Sequence, residues 1–197
     1  MGRGNEQYRR YRRQMPVCKS GEVRIIAGKY KGKKFKTPGE GTHPMGERER
    51  NAMFNMIQEY LPEALVLDAY AGSGVIGLEA LSRGAEYALF VDTNRRAVDM
   101  INEVMMDMWI YNFRGYAVHR DIVEAARTVE DEFSIVFADP PYDKYEPEMI
   151  TLLGRLVAKN GILVASTPED GPEIEGMEKI KSQQYARAHI TVYRWAE

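Results

Sequence analysis

The chain has 197 residues, enough for one domain with a full core and a small appendage but too few for two full domains. Hydrophobic residues make up 44% and charged residues 28%, as in ordinary soluble globular proteins, and no apolar run approaches the roughly 18 residues of a membrane span. With one cysteine, neither an intrachain disulfide nor a cysteine-based metal cluster can form. We therefore expect a cytoplasmic protein without a metal or a membrane partner.

Positive charge is concentrated at the amino terminus. Residues 1–36 hold twelve Lys and Arg against two Glu, a net charge of +10, which leaves −12 for the remainder. Such segregation favours a polyanion partner, because each Lys or Arg placed on a phosphate releases counterions. Residues 1–21 lack apolar periodicity, so a solvated, weakly ordered arm is the alternative there. An organellar transit peptide is a third interpretation of the Arg-rich start.

The first patterned stretch is a short hairpin. Residues 23–27 and 33–36 flank a turn containing Gly28 and Gly32, which predicts two strands with a basic surface that bears aromatic side chains. We expect Phe35 to hold the hairpin to the main domain. The chain is thus divided into a basic arm at 1–21, a hairpin appendage at 22–40 and a main domain at 41–197.

Strand and helix patterns alternate through the main domain. Apolar residues at helical spacing predict helices at 47–60, from residue 75 towards Gly84, after Asn94 and at 149–156. Apolar runs predict strands at 65–67, 87–91, 115–119, 133–138, 161–165, 179–185 and 190–195. This alternation indicates an α/β fold, a Rossmann-like, seven-stranded, mostly parallel sheet with helices on both faces, plus the N-terminal β-hairpin extension.

A glycine-rich loop follows the first strand of this sheet. Asp68 ends the strand, and Gly72 and Gly74 let the backbone turn tightly while leaving amides free near a helix N-terminus. The loop is typical of nucleotide cofactors but does not name one. Gly72, Gly74 and Gly77 also satisfy the dinucleotide fingerprint, with Asp92 as the acidic residue about 20 positions on. A dinucleotide and a methyl donor therefore both stay open at this point.

Four acidic residues stand at predicted carboxyl ends of strands, namely Asp68, Asp92, Asp121 and Asp139. In an open doubly wound sheet these ends share one edge, where ligands bind. Four carboxylates are a poor environment for a pyrophosphate without a metal. They suit a ligand that has hydroxyls, amines and a cationic centre.

The tetrapeptide Asp139-Pro140-Pro141-Tyr142 decides between the two cofactors. The prolines fix the backbone and lack N–H groups, so their carbonyls are available as acceptors. Together with the Asp139 carboxylate and the Tyr142 ring, they form an acceptor site for a flat group bearing an NH2. Pro-Pro after a strand is also a common stop signal. The full tetrapeptide downstream of Asp-x-x-x-Gly-x-Gly is much more specific.

At these motifs the chain resembles class I S-adenosylmethionine-dependent methyltransferases of the amino-methylating group. Segments 24–32, 44–55 and 71–85 resemble more closely the bacterial RsmD family, whose members methylate the exocyclic N2 of one guanine in 16S ribosomal RNA. The chain departs from the family pattern at 43–47, where His-Pro-Met-Gly-Glu replaces Arg-Pro-Thr-Thr-Asp.

The resemblance implies S-adenosylmethionine as cofactor and ribosomal RNA or a small ribosomal subunit particle as partner; we expect a monomer. It assigns methyl transfer to Asp139, Pro140 and Tyr142. The implied cofactor-binding residues are Asp68, Ala71, Gly72, Ser73, Gly74, Asp92, Asp121 and Ile122. The expected RNA contacts are basic residues of the hairpin and the following helix, namely Arg24, Lys29, Lys31, Lys33, Lys34, Arg48 and Arg50.

Other functions stay open on the sequence. A DNA or other RNA base amino-methyltransferase shares the Asp-Pro-Pro-Tyr motif, although a DNA enzyme needs a target-recognition region for which this chain has no room. A protein-glutamine methyltransferase uses a related motif, and the basic hairpin argues against it. An NAD-linked oxidoreductase leaves residues 139–142 unexplained. A non-catalytic RNA-binding module does not explain why both motifs are intact.

Overall fold

The computed structural model of the protein describes residues 21–39, 44–128, 132–185 and 188–196. Residues 1–20 of the predicted arm lie outside these ranges, as does His43. In chain order the elements are β1 (Glu22–Arg24), β2 (Lys34–Lys36), α1 (Glu47–Met56), β3 (Leu65–Asp68), α2 (Val75–Ser82), β4 (Tyr87–Asp92), α3 (Arg95–Asp107), β5 (Gly115–His119), α4 (Ile122–Thr128), β6 (Phe133–Ala138), α5 (Pro147–Gly154), β7 (Val157–Thr167), β8 (Met177–Gln184) and β9 (His189–Trp195).

The main sheet has seven strands in the order β5-β4-β3-β6-β7-β9-β8. Neighbours from β5 to β7 are parallel, and β9 runs antiparallel to both β7 and β8. The strand order reverses beside β3, because β4 and β5 lie on one side of it and β6 on the other. Such a switch point opens a crevice at the carboxyl ends of the strands. The predicted mostly parallel seven-stranded sheet is confirmed.

Helices cover both faces of the sheet. One apolar cluster joins Val66 of β3 to residues of α1, α2 and α3, whereas the next strand residue, Leu67, joins a second cluster with residues of α4 and α5. Because both faces are buried, the strands are continuous apolar runs. Within the described ranges, no helix combines the length and the apolarity needed to cross a bilayer.

Two elements differ from the sequence-based prediction. The helix α4 was not predicted, because only Ile122 and Ala125 of its seven residues are buried and the apolar period is too short to recognise. Strand β7 begins at Val157 rather than at residue 161. Residues 158–160 are partly or fully exposed, and a register shift separates the two paired stretches of β7 along β6.

The hairpin β1–β2 is docked on α2 through buried polar side chains. The fully buried Glu79 carboxylate accepts hydrogen bonds from the amides of Ile26 at 2.8 Å and Ala27 at 2.9 Å. It also accepts from Arg83 Nε at 2.8 Å. One turn further on, the Ser82 hydroxyl donates to the Ala27 carbonyl at 2.5 Å. Three of these four hydrogen bonds join the residues after β1 to the helix, and the bond from Arg83 orients the Glu79 carboxylate.

Close contact and apolar packing complete the docking. Gly28 has φ +78°, and a Cβ there would lie 1.9 Å from the Ser82 carbonyl oxygen, so only glycine fits. Ile25 and Phe35 are buried in the same apolar cluster as Leu78 of α2. The expectation that Phe35 holds the hairpin to the main domain is confirmed. The division of the chain at residues 21/22 and 40/41 stays a prediction.

Replacing Glu79 with alanine should destabilise the protein by about 3–5 kcal/mol, because the buried Arg50 and the largely buried Arg83 lose their counter-charge. Urea unfolding measures the effect. Glu86→Ala, which removes an exposed carboxylate, is the matched control and should change stability by less than about 0.5 kcal/mol. Equal effects of the two substitutions would contradict the role given to Glu79.

Candidate active site

Three of the predicted carboxylates lie at neighbouring strand ends around the switch point. Asp92 ends β4, Asp68 ends β3 and Asp139 follows β6. Asp68 is only 1% exposed. Burial raises the pKa of Asp68 to about 7; the Gly77 amide opposes this rise, and the negative charges of Asp139 and Asp92 add to it. The crevice thus concentrates negative charge. Among the described residues, the groups that act on Asp68 include no cation.

Asp68 also fixes the start of α2. Its Oδ2 accepts a hydrogen bond from the Gly77 amide at 2.9 Å. A Cβ at Gly77 would lie 2.3 Å from the Phe90 ring, so glycine lets the helix pack closely on β4. The third glycine of the motif therefore serves helix packing, as in other doubly wound folds.

Three amides of the glycine loop are engaged within the protein, so the prediction that the loop leaves its amides free is wrong for these three. The Gly72 amide donates to Asp92 Oδ2 at 2.6 Å. The Ala71 amide donates to the Val91 carbonyl at 3.0 Å, and the Gly74 amide to the Ala71 carbonyl at 2.6 Å. Gly74 has φ +75° and caps α2. The position at which an anion would bind the loop is thus taken by a protein carboxylate.

The remaining predicted cofactor residues line the same edge of the sheet. Asp121 is exposed after β5, where its Oδ1 caps α4 by accepting from the amides of Val123 at 2.8 Å and Glu124 at 3.2 Å. Ile122 is buried beside it, and Ser73 is buried in the loop. Contacts of these residues and of Asp92 with a nucleoside stay predictions.

The Asp-Pro-Pro-Tyr segment turns from β6 into a short 3-10 helix that begins at Tyr142. Pro140 is buried, whereas Tyr142 remains 40% exposed and presents part of its ring to solvent. Burial raises the pKa of Asp139 to about 6. The segment therefore places a carboxylate, a proline carbonyl and an aromatic ring at the edge of the crevice.

Two residues at this segment were missed by the sequence. The Ser166 hydroxyl, near the end of β7, lies 3.1 Å from the Tyr142 hydroxyl and also hydrogen bonds to Asp139, which partly opposes the rise of the Asp139 pKa. The negative charge of Glu49 on α1 adds to that rise. The sequence held one signal for Ser166, which is a polar residue inside an apolar strand. It held no signal that Glu49 acts on Asp139.

The predicted RNA contacts fall into two groups. Arg50 was expected at the RNA surface, and this is wrong: its guanidinium is 1% exposed and donates to the carbonyls of Met45 at 2.8 Å and Arg24 at 2.7 Å. Burial lowers its pKa, and Glu79 opposes that shift. The other predicted contacts are exposed or half-exposed, namely Arg24, Lys29, Lys31, Lys33, Lys34 and Arg48.

The crevice fits a cationic organic ligand and offers no evident metal site. Burial, with a smaller contribution from the charge of Asp139, raises the pKa of Asp68, and a positive group beside Asp68 would favour its ionised form. Among the described residues, no group of His, Cys, Asp and Glu is arranged to hold a metal ion.

The fold and these motifs define a class I methyltransferase. The family model described as Conserved hypothetical protein 95 matches residues 23–194, so the chain belongs to that family. Ribosomal RNA small subunit methyltransferase D of Escherichia coli (strain K12) is 33% identical over 157 residues, which are 77% of this chain and 78% of the relative. The resemblance to the RsmD family is confirmed.

Other relatives match over nearly their full length. YlbH of Bacillus subtilis (strain 168) is 30% identical over 186 residues, covering 87% of this chain and 98% of YlbH. Among solved structures, yhhF from Escherichia coli matches with a TM-score of 0.80 at 26% identity, covering 89% of this chain and 98% of yhhF. The similarity therefore spans the hairpin as well as the main sheet.

Asp68→Asn should stabilise the protein at pH 8 by about 1–4 kcal/mol and have little effect at pH 4. The folded-state pKa of Asp68, about 7, lies above the value near 4 of an unfolded aspartate. The folded state therefore binds more protons between these values, and stability falls as the pH rises through 7. Asparagine removes the charge and keeps an acceptor for Gly77.

Thermal unfolding from pH 4 to pH 8 measures this effect. The wild-type melting temperature should fall more steeply with pH than that of the variant. Parallel curves for the two proteins would contradict a buried, destabilised carboxylate at this position.

Proposed function

We propose that the protein transfers a methyl group from S-adenosylmethionine to the exocyclic N2 amine of a guanine in 16S ribosomal RNA. The observation that carries the proposal is the position of Asp139 and Pro140 beside the negatively charged crevice at the switch point. The name of the Escherichia coli relative supports small-subunit ribosomal RNA as the substrate class.

The charge of the crevice supports the choice of cofactor. S-adenosylmethionine carries an ammonium group and a sulfonium centre, and it supplies an activated methyl group when bound. The buried Asp68 would hold the ammonium end, and the positive charge would favour the ionised carboxylate. Asp92 would accept from the ribose hydroxyls through the lone pairs that the Gly72 and Asn94 amides leave.

Asp139 and Pro140 would activate the amine by orienting it. A guanine amine is a poor nucleophile, because its lone pair is delocalised into the ring. Accepting its two N–H groups on the Asp139 carboxylate and the Pro140 carbonyl pushes the nitrogen towards tetrahedral geometry and aims the lone pair at the methyl carbon. Alignment then supplies most of the catalysis. Transfer breaks the bond between the methyl carbon and sulfur, so S-adenosylhomocysteine would be the leaving group. The N–H proton becomes acidic only after transfer and would pass to the Asp139 carboxylate, so no strong base is needed.

Tyr142 and Ser166 would complete the base site. The exposed part of the Tyr142 ring would stack on the extruded base, an interaction typically worth about 1–3 kcal/mol. The Ser166 hydroxyl contacts both Tyr142 and Asp139, so it would fix the distance between the stacking ring and the acceptor. A base held in this way presents its amine edge to Asp139.

The loop geometry argues against the oxidoreductase alternative. Dinucleotide-binding loops offer free amides at the helix N-terminus to a pyrophosphate. Here the Gly72 amide already donates to Asp92, and the neighbouring carboxylates of Asp68 and Asp139 would repel phosphate. The basic hairpin likewise favours nucleic acid over a protein substrate. We place the reaction in the cytoplasm, on ribosomal RNA or a small-subunit particle, with the protein acting as a monomer.

Asp139→Ala should lower kcat for methyl transfer by about 100- to 1,000-fold, because the amine loses its principal acceptor. Transfer of tritium from labelled S-adenosylmethionine to small-subunit ribosomal RNA measures kcat. Calorimetric titration with S-adenosylhomocysteine should show cofactor affinity changed by less than about threefold. Asp143→Ala is the control. It removes an exposed carboxylate from the short 3-10 helix that begins at Tyr142, and it should retain turnover. Undiminished turnover in Asp139→Ala would refute the assigned role.

The pH profile of kcat/KM, which reports the free protein, should rise with an apparent pKa of about 6 as Asp139 ionises and becomes a full acceptor. Because the hydrogen bond from Ser166 lowers the pKa of Asp139, Ser166→Ala should shift the midpoint to higher pH. The measurement is the rate of methyl transfer from pH 5 to pH 8.5 with cofactor and RNA both well below saturation, where the rate follows kcat/KM. A midpoint that stays the same in the variant would argue that another group controls the profile.

A further inference from the structure

A cleft of about 540 Å³ lies between the hairpin and the first turn of α1, outside the crevice described above. Its volume is within the range of small-molecule pockets and is sufficient for a single nucleotide. The half-buried Ile26 contributes an apolar wall, while Arg24, Lys31 and Arg48 bring cationic groups to it. No cofactor-binding residue lines it.

Positive charge dominates the cleft. In the part of the chain that the structure describes, neither Lys31 nor Arg48 has an ion-pair or side-chain hydrogen-bond partner. Arg24 is paired with Glu47, through Nε to Oε1 at 3.2 Å and Nη2 to Oε2 at 2.6 Å. Three cations thus face one carboxylate. An anion with several acceptor oxygens matches this set, and the planar guanidinium groups match phosphate in particular.

The Arg24–Glu47 pair can be exchanged for a ligand. Both side chains are about half exposed, and exposed ion pairs contribute only about 0–1 kcal/mol. Arg24 is held in place by β1, whose pairing with β2 is antiparallel, and by the docking of the following residues on Glu79. A phosphate can therefore replace the Glu47 carboxylate on a guanidinium that is already oriented.

Helix α1 connects this cleft to the proposed base site. Glu47 and Arg48 face the cleft, and the next residue, Glu49, acts electrostatically on Asp139 and Tyr142. One turn of a helix about 10–12 Å wide therefore separates the two places. A few nucleotides of a single strand span such a distance.

Resting on the function proposed above, we propose that the cleft binds one nucleotide of the RNA strand near the nucleotide that is methylated. Its phosphate binds Arg24, Lys31 and Arg48, and its base lies against Ile26. In the free protein, Glu47 forms an ion pair with Arg24, and the phosphate displaces Glu47 from it. The cleft thereby fixes the strand on one side of α1 while the target base enters on the other.

Point variants of the full chain test the inference, because removing residues 1–36 would also take away Ile25 and the amides that satisfy Glu79. The probe is a small-subunit ribosomal RNA transcript titrated in the presence of S-adenosylhomocysteine. Arg48→Ala and Lys31→Ala should each weaken binding about 5- to 10-fold at 0.1 M salt and reduce the salt slope by about 0.7. Glu47→Gln should strengthen binding about 2- to 5-fold, because it frees Arg24.

Two controls carry the same charge changes outside the cleft. Lys159→Ala, at the amino end of β7, and Glu86→Gln should both bind RNA as the wild type does. Arg48→Ala and Lys31→Ala should raise KM for RNA and Glu47→Gln should lower it, with kcat and the affinity for S-adenosylhomocysteine unchanged in all three. That pattern separates a binding site for the strand from damage to the base site.

Several outcomes would overturn the inference. If the wild type methylates RNA and Arg48→Ala and Lys31→Ala bind it equally well, the cleft is not used, although the proposed function stands. A weaker complex with Glu47→Gln would contradict displacement of Glu47. Guanosine 5′-monophosphate should bind only at millimolar concentration; micromolar binding that is lost in Arg48→Ala and does not compete with RNA would identify a small-molecule site instead. If the wild type neither binds nor methylates RNA, both proposals fail.

Discussion

The carboxylate of Glu79 holds the hairpin to the main domain from the middle of a helix in which every residue is buried. The first turn of that helix is bound to Asp68 through the Gly77 amide, and its last turn is bound to the hairpin through Ser82. A single rigid element thus joins the cofactor edge of the sheet to the basic surface. Losing the Glu79 carboxylate would leave buried donors and cations unpaired, so the position of the hairpin relative to the crevice is tightly determined.

The contacts of Glu79 stabilise the fold, whereas the carboxylates of the crevice destabilise it when they are ionised. Asp68 is buried, the half-buried Asp139 follows the neighbouring strand β6, and the pKa values of both are raised, which makes this edge a place where stability is lost at neutral pH. Clusters of perturbed groups of this kind are typical of functional sites, where a ligand supplies the missing charge. Asp92 differs, because its two oxygens accept from the Gly72 and Asn94 amides and so shape the loop before any ligand arrives.

The sequence predicted the sheet, the switch-point aspartates and the hairpin, because these depend on apolar runs, glycines and strand ends that are visible in one dimension. The sequence did not predict features that depend on the direction in which a side chain points. Arg50 belongs to a basic stretch yet turns inward to bind carbonyls of the protein. Glu79 gave one signal, a lone acid inside an apolar helix, and its three hydrogen bonds come from partners 4 to 53 residues away. The hydrogen bond from the Gly72 amide to Asp92 was likewise not predicted, because it is a tertiary contact.

The proposed methylation of a guanine amine in small-subunit ribosomal RNA is the activity from which the roles proposed for Asp139, Pro140 and Tyr142 follow. The most direct measurement is mass spectrometry of nucleosides from 16S ribosomal RNA of a strain lacking the gene, before and after incubation with the purified protein and S-adenosylmethionine. On the proposed function, we expect a gain of one N2-methylguanosine per RNA molecule. No gain, or a gain of a methylated adenine or cytosine instead, would contradict it.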